Sequence, residues 1–262
     1  MSSWTGVAQA YERSFATLCG GTLERLLDDT RPVAVGGGHH LDVGSGTGDL
    51  AARAAEQGRT VVAVDADPGM AALTEGVVPG RAVRAALPSL PFGDGCFDAV
   101  TANFVVNHVG DPRAATRELA RVTRPGGRVA LTSWTARPPT WSALTTYAFE
   151  AAGVVVAPGG RLPPELDFDR SVEGLADVAG GAKGAGLTVL DARELRWDWA
   201  VTVDNLWSGI AGGVATAGQA YLAQTSAVRA AAEQHFRRAA SELADGGLLH
   251  LPSTAAYVLC GA

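Results

Sequence analysis

Residues 41–50 read LDVGSGTGDL, and Gly44, Gly46 and Gly48 stand at alternate positions between an apolar run and a helix-forming run. Glycines so placed let a loop fold tightly beneath a ligand. A dinucleotide fingerprint needs glycines at its first, third and sixth places, the last so that helix and strand pack closely beside a pyrophosphate. Here the sixth place is Asp49. Asp42, two residues before the first glycine, puts a carboxylate at the strand end. It would repel a pyrophosphate, but it suits a cationic sulfonium that also carries a free amino group. Asp65 lies 17 residues after Gly48, at the end of TVVAVDA. A carboxylate there can accept both ribose hydroxyls, a role it would play for either ligand class.

The elements that must position these residues follow from periodicity. HLDVG reads as a short buried strand, DLAARAAEQG as a helix ended by Gly58, and TVVAVDA as a second strand. DPGMAALTE reads as a helix capped by Asp67 with Pro68 at its first position. AVRAAL, FDAVTANF and GRVALTSW read as strands, with a helix opened by Asp111 and Pro112 before the last. Such alternation predicts parallel β-α-β units and an open α/β sheet with helices on both faces, its ligands at the carboxyl ends of the strands.

Ahead of this core, Val7, Tyr11, Phe15 and Leu18 predict one helix with an apolar face; CGG breaks it, and a second helix should run to about Asp29. RPVAVGGGHH reads as loop, with His39 and His40 before the first strand and facing solvent. Past Trp134 we expect a helix over RPPTWSALTTYAFEAAG, a loop over VVVAPGGRLPPELDFDRS, and a strand or hairpin over LTVLDARELRWDWAV. A helix capped by Asp204, a long helix from about Gln219 to Ala244 carrying a partly buried His235, and an edge or inserted strand LLHLPSTAAYVLCG should close the chain. No linker divides it, so 1–262 reads as a single domain: cap helices over 1–30, a ligand-binding core over 39–134, and a lid with sheet completion over 135–262.

Composition narrows the function classes. The net charge is −6, Lys183 is the only lysine and the arginines are scattered. A nucleic-acid partner would want a basic face, so none is expected. No apolar run reaches the length of a membrane span, and MSSWTGVAQAYERSF lacks the pattern of a secretory signal, so a cytoplasmic protein is expected. Cys19, Cys96 and Cys260 are too far apart for a close-spaced metal motif and odd in number, which predicts reduced, structural thiols and no metal. Oligomeric state is open.

LDVGSGTGDL, VVAVDADPGM, LPFGDGCFDAVTANFVVNHVGDP and RPGGRVALTSW, over roughly 39–134, resemble in order and spacing the class I S-adenosylmethionine (SAM)-dependent methyltransferases. The nearest likeness is to the branch with ubiquinone/menaquinone methyltransferases and small-molecule methyltransferases of secondary metabolism. The resemblance implies a Rossmann-like fold with a mostly parallel seven-stranded sheet, amino-terminal helices and a lid in the carboxyl-terminal half. It also implies SAM as cofactor, S-adenosylhomocysteine as product, and a small organic acceptor methylated at O, N or C. Gly44, Ser45 and Gly46 would pass beneath the methionine part, with Asp42 near its amino group; Asp65 would hold the ribose, Ala66 and Met70 would flank the adenine. Asn103 would meet the amino-acid moiety through its backbone, and Tyr11 would close over the cofactor carboxylate. In RAALPSLPF the family's acidic residue is replaced by Ala86, leaving the backbone near Ala86 and Leu87 to meet the adenine.

His108 in VVNHV would fall near the transferring methyl, where it could act as a general base or do no proton transfer at all. Trp141, Tyr147, Trp197, Trp199 and Trp207 fall in the divergent third, with Trp141, Tyr147 and Trp207 as candidate linings of an acceptor pocket. In-line placement, with water excluded around Trp141 and Tyr11, is expected to outweigh proton transfer in the rate. A protein keeping the fold without methyl transfer, such as a cyclase or binding protein, and an NAD(P)-dependent oxidoreductase are the other classes open to this sequence.

Overall fold

The computed structural model describes residues 4–32, 37–156, 162–181 and 184–262. Lys183 and parts of the two expected loops, 33–36 and 157–161, lie outside the described residues. In chain order the elements are α1 (Ala8–Arg13), α2 (Phe15–Gly20), α3 (Leu23–Asp29), β1 (His39–Val43), α4 (Asp49–Glu56), β2 (Thr60–Asp65), α5 (Pro68–Val77), β3 (Ala82–Arg84) and β4 (Phe97–Ala102). There follow α6 (Pro112–Val122), β5 (Thr123–Trp134), α7 (Thr140–Ala152), α8 (Val172–Gly180), β6 (Thr188–Thr202), α9 (Val203–Ala211), α10 (Ala215–Leu222), α11 (Ser226–Leu243) and β7 (Leu248–Gly261).

The strands form one seven-stranded sheet in the order β3-β2-β1-β4-β5-β7-β6. The pairs from β3 to β5 are parallel, and β7 is antiparallel to β5, so the last strand is inserted rather than at an edge. The chain divides into two compact units. The first comprises Met1–Gly21, Arg137–Gly160 and Arg196–Ser253; the second comprises Thr22–Ala136, Arg161–Leu195 and Thr254–Ala262.

The second unit holds β1–β5 and two apolar cores. Leu41, Val43, Val100, Val129 and Leu131 pack with Leu119 of α6 and Leu175 and Val178 of α8. Val61, Ala63 and Ala130 pack with Leu26 and Leu27 of α3 and Leu50 and Ala54 of α4. Alternate residues of a strand face opposite sides, so the central strands feed both cores. Each fully buried Leu or Val contributes about 1.5–3 kcal/mol. In the first unit, the Trp207 and Phe236 rings meet tilted at 4.8 Å between centroids, and Phe15 meets Trp141 at 4.9 Å and Trp199 at 5.8 Å. Among the described residues no helix is long and apolar enough to cross a membrane.

Several expectations are corrected. The first helix is broken at Ser14, whose hydroxyl donates to the Ala10 carbonyl at 2.6 Å, a back-bond that competes with helix continuation. The long carboxyl-terminal helix is two, because Thr225 takes an extended conformation and caps α11 through the Val228 N–H. The cap of α9 is Thr202, which accepts from the Asn205 N–H at 3.1 Å; Asp204 pairs instead with Arg237 at 2.5 Å. Helix α8 was not expected, although Ser171 caps it and Val172, Leu175 and Val178 give it an apolar face. Its glycines masked the signal. Finally, His40 lies inside β1 and is fully buried, not facing solvent, whereas His39 is exposed.

Candidate functional site

The glycine loop joins β1 to α4 at the carboxyl end of the sheet. Gly44, Gly46 and Gly48 have φ of 67°, 57° and 87°, a region that side chains disfavour. The loop is pinned to β2: the Gly44 and Ser45 N–H groups donate to the Val64 carbonyl at 2.7 and 3.0 Å. A Cβ on Gly44 would stand 2.4 Å from Val105, and one on Gly48 would stand 3.1 Å from the Thr74 backbone of α5. Close packing is therefore served by the fifth place of the loop, against a neighbouring helix. Thr74 also hydrogen-bonds the Ser45 hydroxyl at 2.9 Å and donates to the Gly46 carbonyl at 3.1 Å.

Asp65 ends β2 with its carboxylate against this loop. One oxygen accepts from the Gly46 N–H and the other from the Asp67 N–H, both at 2.9 Å. Burial raises its pKa, and these backbone donors oppose the rise. Each oxygen keeps a lone pair for a further donor. Asp67 caps α5 by accepting from Gly69 and Met70 N–H groups, which buries Met70; Ala66 between the two acids is exposed. Ala86 is exposed and Leu87 half-buried beyond β3.

Asp42 is buried in β1. Its Oδ1 accepts from the Thr101 hydroxyl at 3.0 Å, while Oδ2 has no hydrogen-bond partner among the described residues. Burial pushes its pKa up to about 7, the Thr101 hydrogen bond opposes this, and the charges of Asp65 and Asp49 add to it. A buried carboxylate oxygen with no donor is costly, and a bound cation would relieve it.

After β4, Asn103 is fixed by two hydroxyls, from Thr22 at 2.8 Å and Thr132 at 2.6 Å, both donating to its Oδ1. Phe104 then adopts φ of 56°, a strained conformation for an aromatic residue, with its N–H on Thr132 and its ring stacked on Trp134 at 3.9 Å. Further along, Asn107 carries a buried Oδ1 with no hydrogen-bond partner among the described residues. His108 has an exposed edge, while protein crowds the rest of its ring; that crowding, then the Arg170 guanidinium, lowers its pKa to about 4.

The structure thus brings Asp42, Gly44, Ser45, Gly46, Asp65 and Met70 together in the second unit, with Asn103 following the neighbouring strand. Tyr11 belongs to the first unit, where its ring meets Trp4 edge-on at 5.5 Å and its hydroxyl hydrogen-bonds with the Cys19 thiol. Of the proposed acceptor aromatics, Trp141 packs on Phe15, Tyr147 is 53% exposed, and Trp207 is core between Tyr221 and Phe236. Sequence reasoning missed Thr74, Thr132, Trp134 and the buried partners of Asp42. For the last, one signal existed: His40 shares the face of Asp42, two residues away on a strand.

These residues fit SAM: a tight glycine loop, a carboxylate at the end of β2 with lone pairs to spare, and a buried carboxylate oxygen without a donor among the described residues. Residues 41–131 match the family model described as a methyltransferase domain. A Clavibacter sepedonicus protein named demethylmenaquinone methyltransferase is 36% identical over 138 residues, 50% of this chain and 56% of that one. The chain therefore spans little more than half the length of this curated relative. The crystal structure of the (4+2)-cyclase SpnF is similar with a TM-score of 0.54 at 23% identity, covering 91% of this chain and 80% of that one. The geranyl diphosphate C-methyltransferase of Streptomyces coelicolor A3(2) gives 0.50 at 16% identity, covering 92% and 78%. At such identities the structures speak for the fold alone. Residues 41–131, set in a sheet of this order, are similar to the methyltransferase domain of the class I SAM-dependent methyltransferases.

Proposed function

We propose that this protein transfers the methyl group of SAM to a small organic acceptor, at O, N or C, in secondary metabolism. The observation that carries the reading is the buried Asp42 carboxylate, one oxygen unpartnered, beside the glycine loop and Asp65. An ammonium satisfies it and a pyrophosphate does not. The secondary-metabolic setting is supported by the resemblance to that branch, and a cytoplasmic one by three free thiols, of which Cys260 is fully buried.

SAM, when bound, supplies a methyl group already activated by its sulfonium. The work left to the chain is binding, orientation and exclusion of water. Asp65 holds hydroxyls, Asp42 holds an ammonium, and the loop from Gly44 to Gly46 leaves room for a flat chain of atoms beneath it. Holding reactants in line can supply roughly 7–11 kcal/mol, whereas a general base typically adds only about 10²- to 10⁴-fold. His108 with a lowered pKa is a weak base at neutral pH. Orientation therefore dominates.

Calorimetry with S-adenosylhomocysteine and NAD tests the first half: binding of NAD in place of S-adenosylhomocysteine would end this reading. Mass spectrometry with candidate acceptors tests the second, by a gain of one CH₂ unit. Tight cofactor binding with no methylated product across a broad acceptor panel would make the protein a SAM-fold member without methyl transfer.

A further inference from the structure

We propose that Arg59, His40 and Thr101 form a directed hydrogen-bond wire that holds Asp42 as the anionic acceptor for the α-ammonium of SAM. The three are positioning residues, and the inference rests on the SAM reading above.

The wire is built by strand register. His40 and Asp42 are two apart in β1 and share one face of the sheet; Thr101 of β4 is paired with Asp42 and shares it too. Val61 and Ala63 of β2 are paired with His40 and Asp42, and Arg59 lies two residues before Val61 on the same side. The Arg59 guanidinium meets His40 Nδ1 at 2.9 Å, His40 Nε2 meets Thr101 Oγ1 at 2.9 Å, and Thr101 meets Asp42 Oδ1 at 3.0 Å.

Its direction follows from chemistry. A guanidinium only donates, so His40 Nδ1 must accept. Burial, then the charge of Arg59, pulls the His40 pKa down to about 3, which leaves one proton, on Nε2. That proton goes to Thr101 Oγ1, so the Thr101 hydroxyl hydrogen is left to donate, and of its two acceptors Asp42 Oδ1 at 3.0 Å is nearer than the Leu41 carbonyl at 3.5 Å. Every donor points from the cation toward the carboxylate. Arg59 is only 4% exposed, yet its other hydrogen bonds go to neutral groups: the Thr30 hydroxyl and carbonyl, the Leu27 carbonyl and the Gln57 amide oxygen. The nearby charges, Arg31 and Asp28, act on it only through space. The wire thus links a buried cation that has no carboxylate partner among the described residues to a buried carboxylate whose Oδ2 has no donor among them.

Apolar residues at positions 40 and 59 would pack this core at lower desolvation cost. What they could not do is favour the charged form of Asp42 against burial and against the like charges of Asp65 on β2 and Asp49 on α4. A bound ammonium needs that charged form.

The test compares two probes on the full chain, S-adenosylhomocysteine and 5′-methylthioadenosine, which keeps the nucleoside and sulfur but lacks the amino-acid end. Thr101→Val should weaken S-adenosylhomocysteine roughly 10- to 100-fold, as expected for losing a hydrogen bond to a charged group. It should leave 5′-methylthioadenosine within about twofold, and Thr101→Ser should restore most of the loss. In the wild type, S-adenosylhomocysteine affinity should fall as pH drops below about 7, and in Thr101→Val that fall should begin at higher pH. Equal weakening of both probes, an unmoved pH onset, or no rescue by serine would overturn the wire. If S-adenosylhomocysteine fails to bind the wild type at all, the SAM reading itself falls first. Should Thr101→Val not fold, the wild type decides through calorimetry in two buffers near pH 6. Proton release with S-adenosylhomocysteine but not with 5′-methylthioadenosine supports the wire, and equal proton exchange for both overturns it.

Discussion

At the residue scale, two carboxylates on neighbouring strands stand in different surroundings. Asp65 is satisfied by two backbone N–H groups and keeps lone pairs to spare. We expect Asp65→Ala to weaken S-adenosylhomocysteine by roughly 1.5–3 kcal/mol, the usual worth of hydrogen bonds to a charged group, and 5′-methylthioadenosine by as much, since both carry the ribose. Calorimetry of a folded variant checks this, and loss confined to S-adenosylhomocysteine would misplace the ribose. For His108, burial and Arg170 act together to lower its proton affinity. His108→Ala should therefore cut single-turnover rates less than about tenfold, below the range for a general base. A drop of about three decades with loss of a titration near pH 6 to 7 would instead make it the base. Asp42, Asp65 and the glycines were legible because their spacing is local. His40 was misread because the residue pair HH at the edge of a loop gives no sign of where the strand begins.

At the element scale, helix starts were legible where a capping side chain and proline stood together, as at Asp67–Pro68 and Asp111–Pro112. They were misread where two capping types were neighbours. Thr202 and Asp204 offer a direct comparison. Thr202→Ala should cost about 0.5–2 kcal/mol of unfolding free energy. Asp204→Ala, which breaks an ion pair whose aspartate is 81% exposed, should cost about 0–1 kcal/mol. Urea unfolding of both decides, and a larger loss at Asp204 would return the cap to it. The loop glycine at position 48 carries a similar lesson. Its fifth place in the motif argued against a dinucleotide, yet its packing role was visible only once α5 was seen against the loop, with Thr74 beside the missing Cβ.

At the scale of the whole molecule, a net charge of −6 gathers acids where the ligand is proposed to sit, with Asp42, Asp49, Asp65 and Asp67 around one loop. SAM carries one more positive charge than S-adenosylhomocysteine, so we expect it to bind several-fold more tightly at about 0.01 M salt, where the screening length is about 30 Å. The gap should narrow at about 0.15 M, where that length is about 8 Å. Equal affinities at both salts, measured by calorimetry, would show that the field contributes nothing. By itself the sequence determined the α/β class, the glycine loop between strand and helix and the sign of charge around that loop. These depend on glycine spacing, on strand-helix alternation and on acids at strand ends, all written within a few residues of one another. The tertiary structure decided the rest. Trp207 looked like a pocket residue and is core, because Tyr221 and Phe236 arrive from other helices. The wire behind Asp42 joins residues 19 and 61 positions from His40, through strand register that no local pattern encodes.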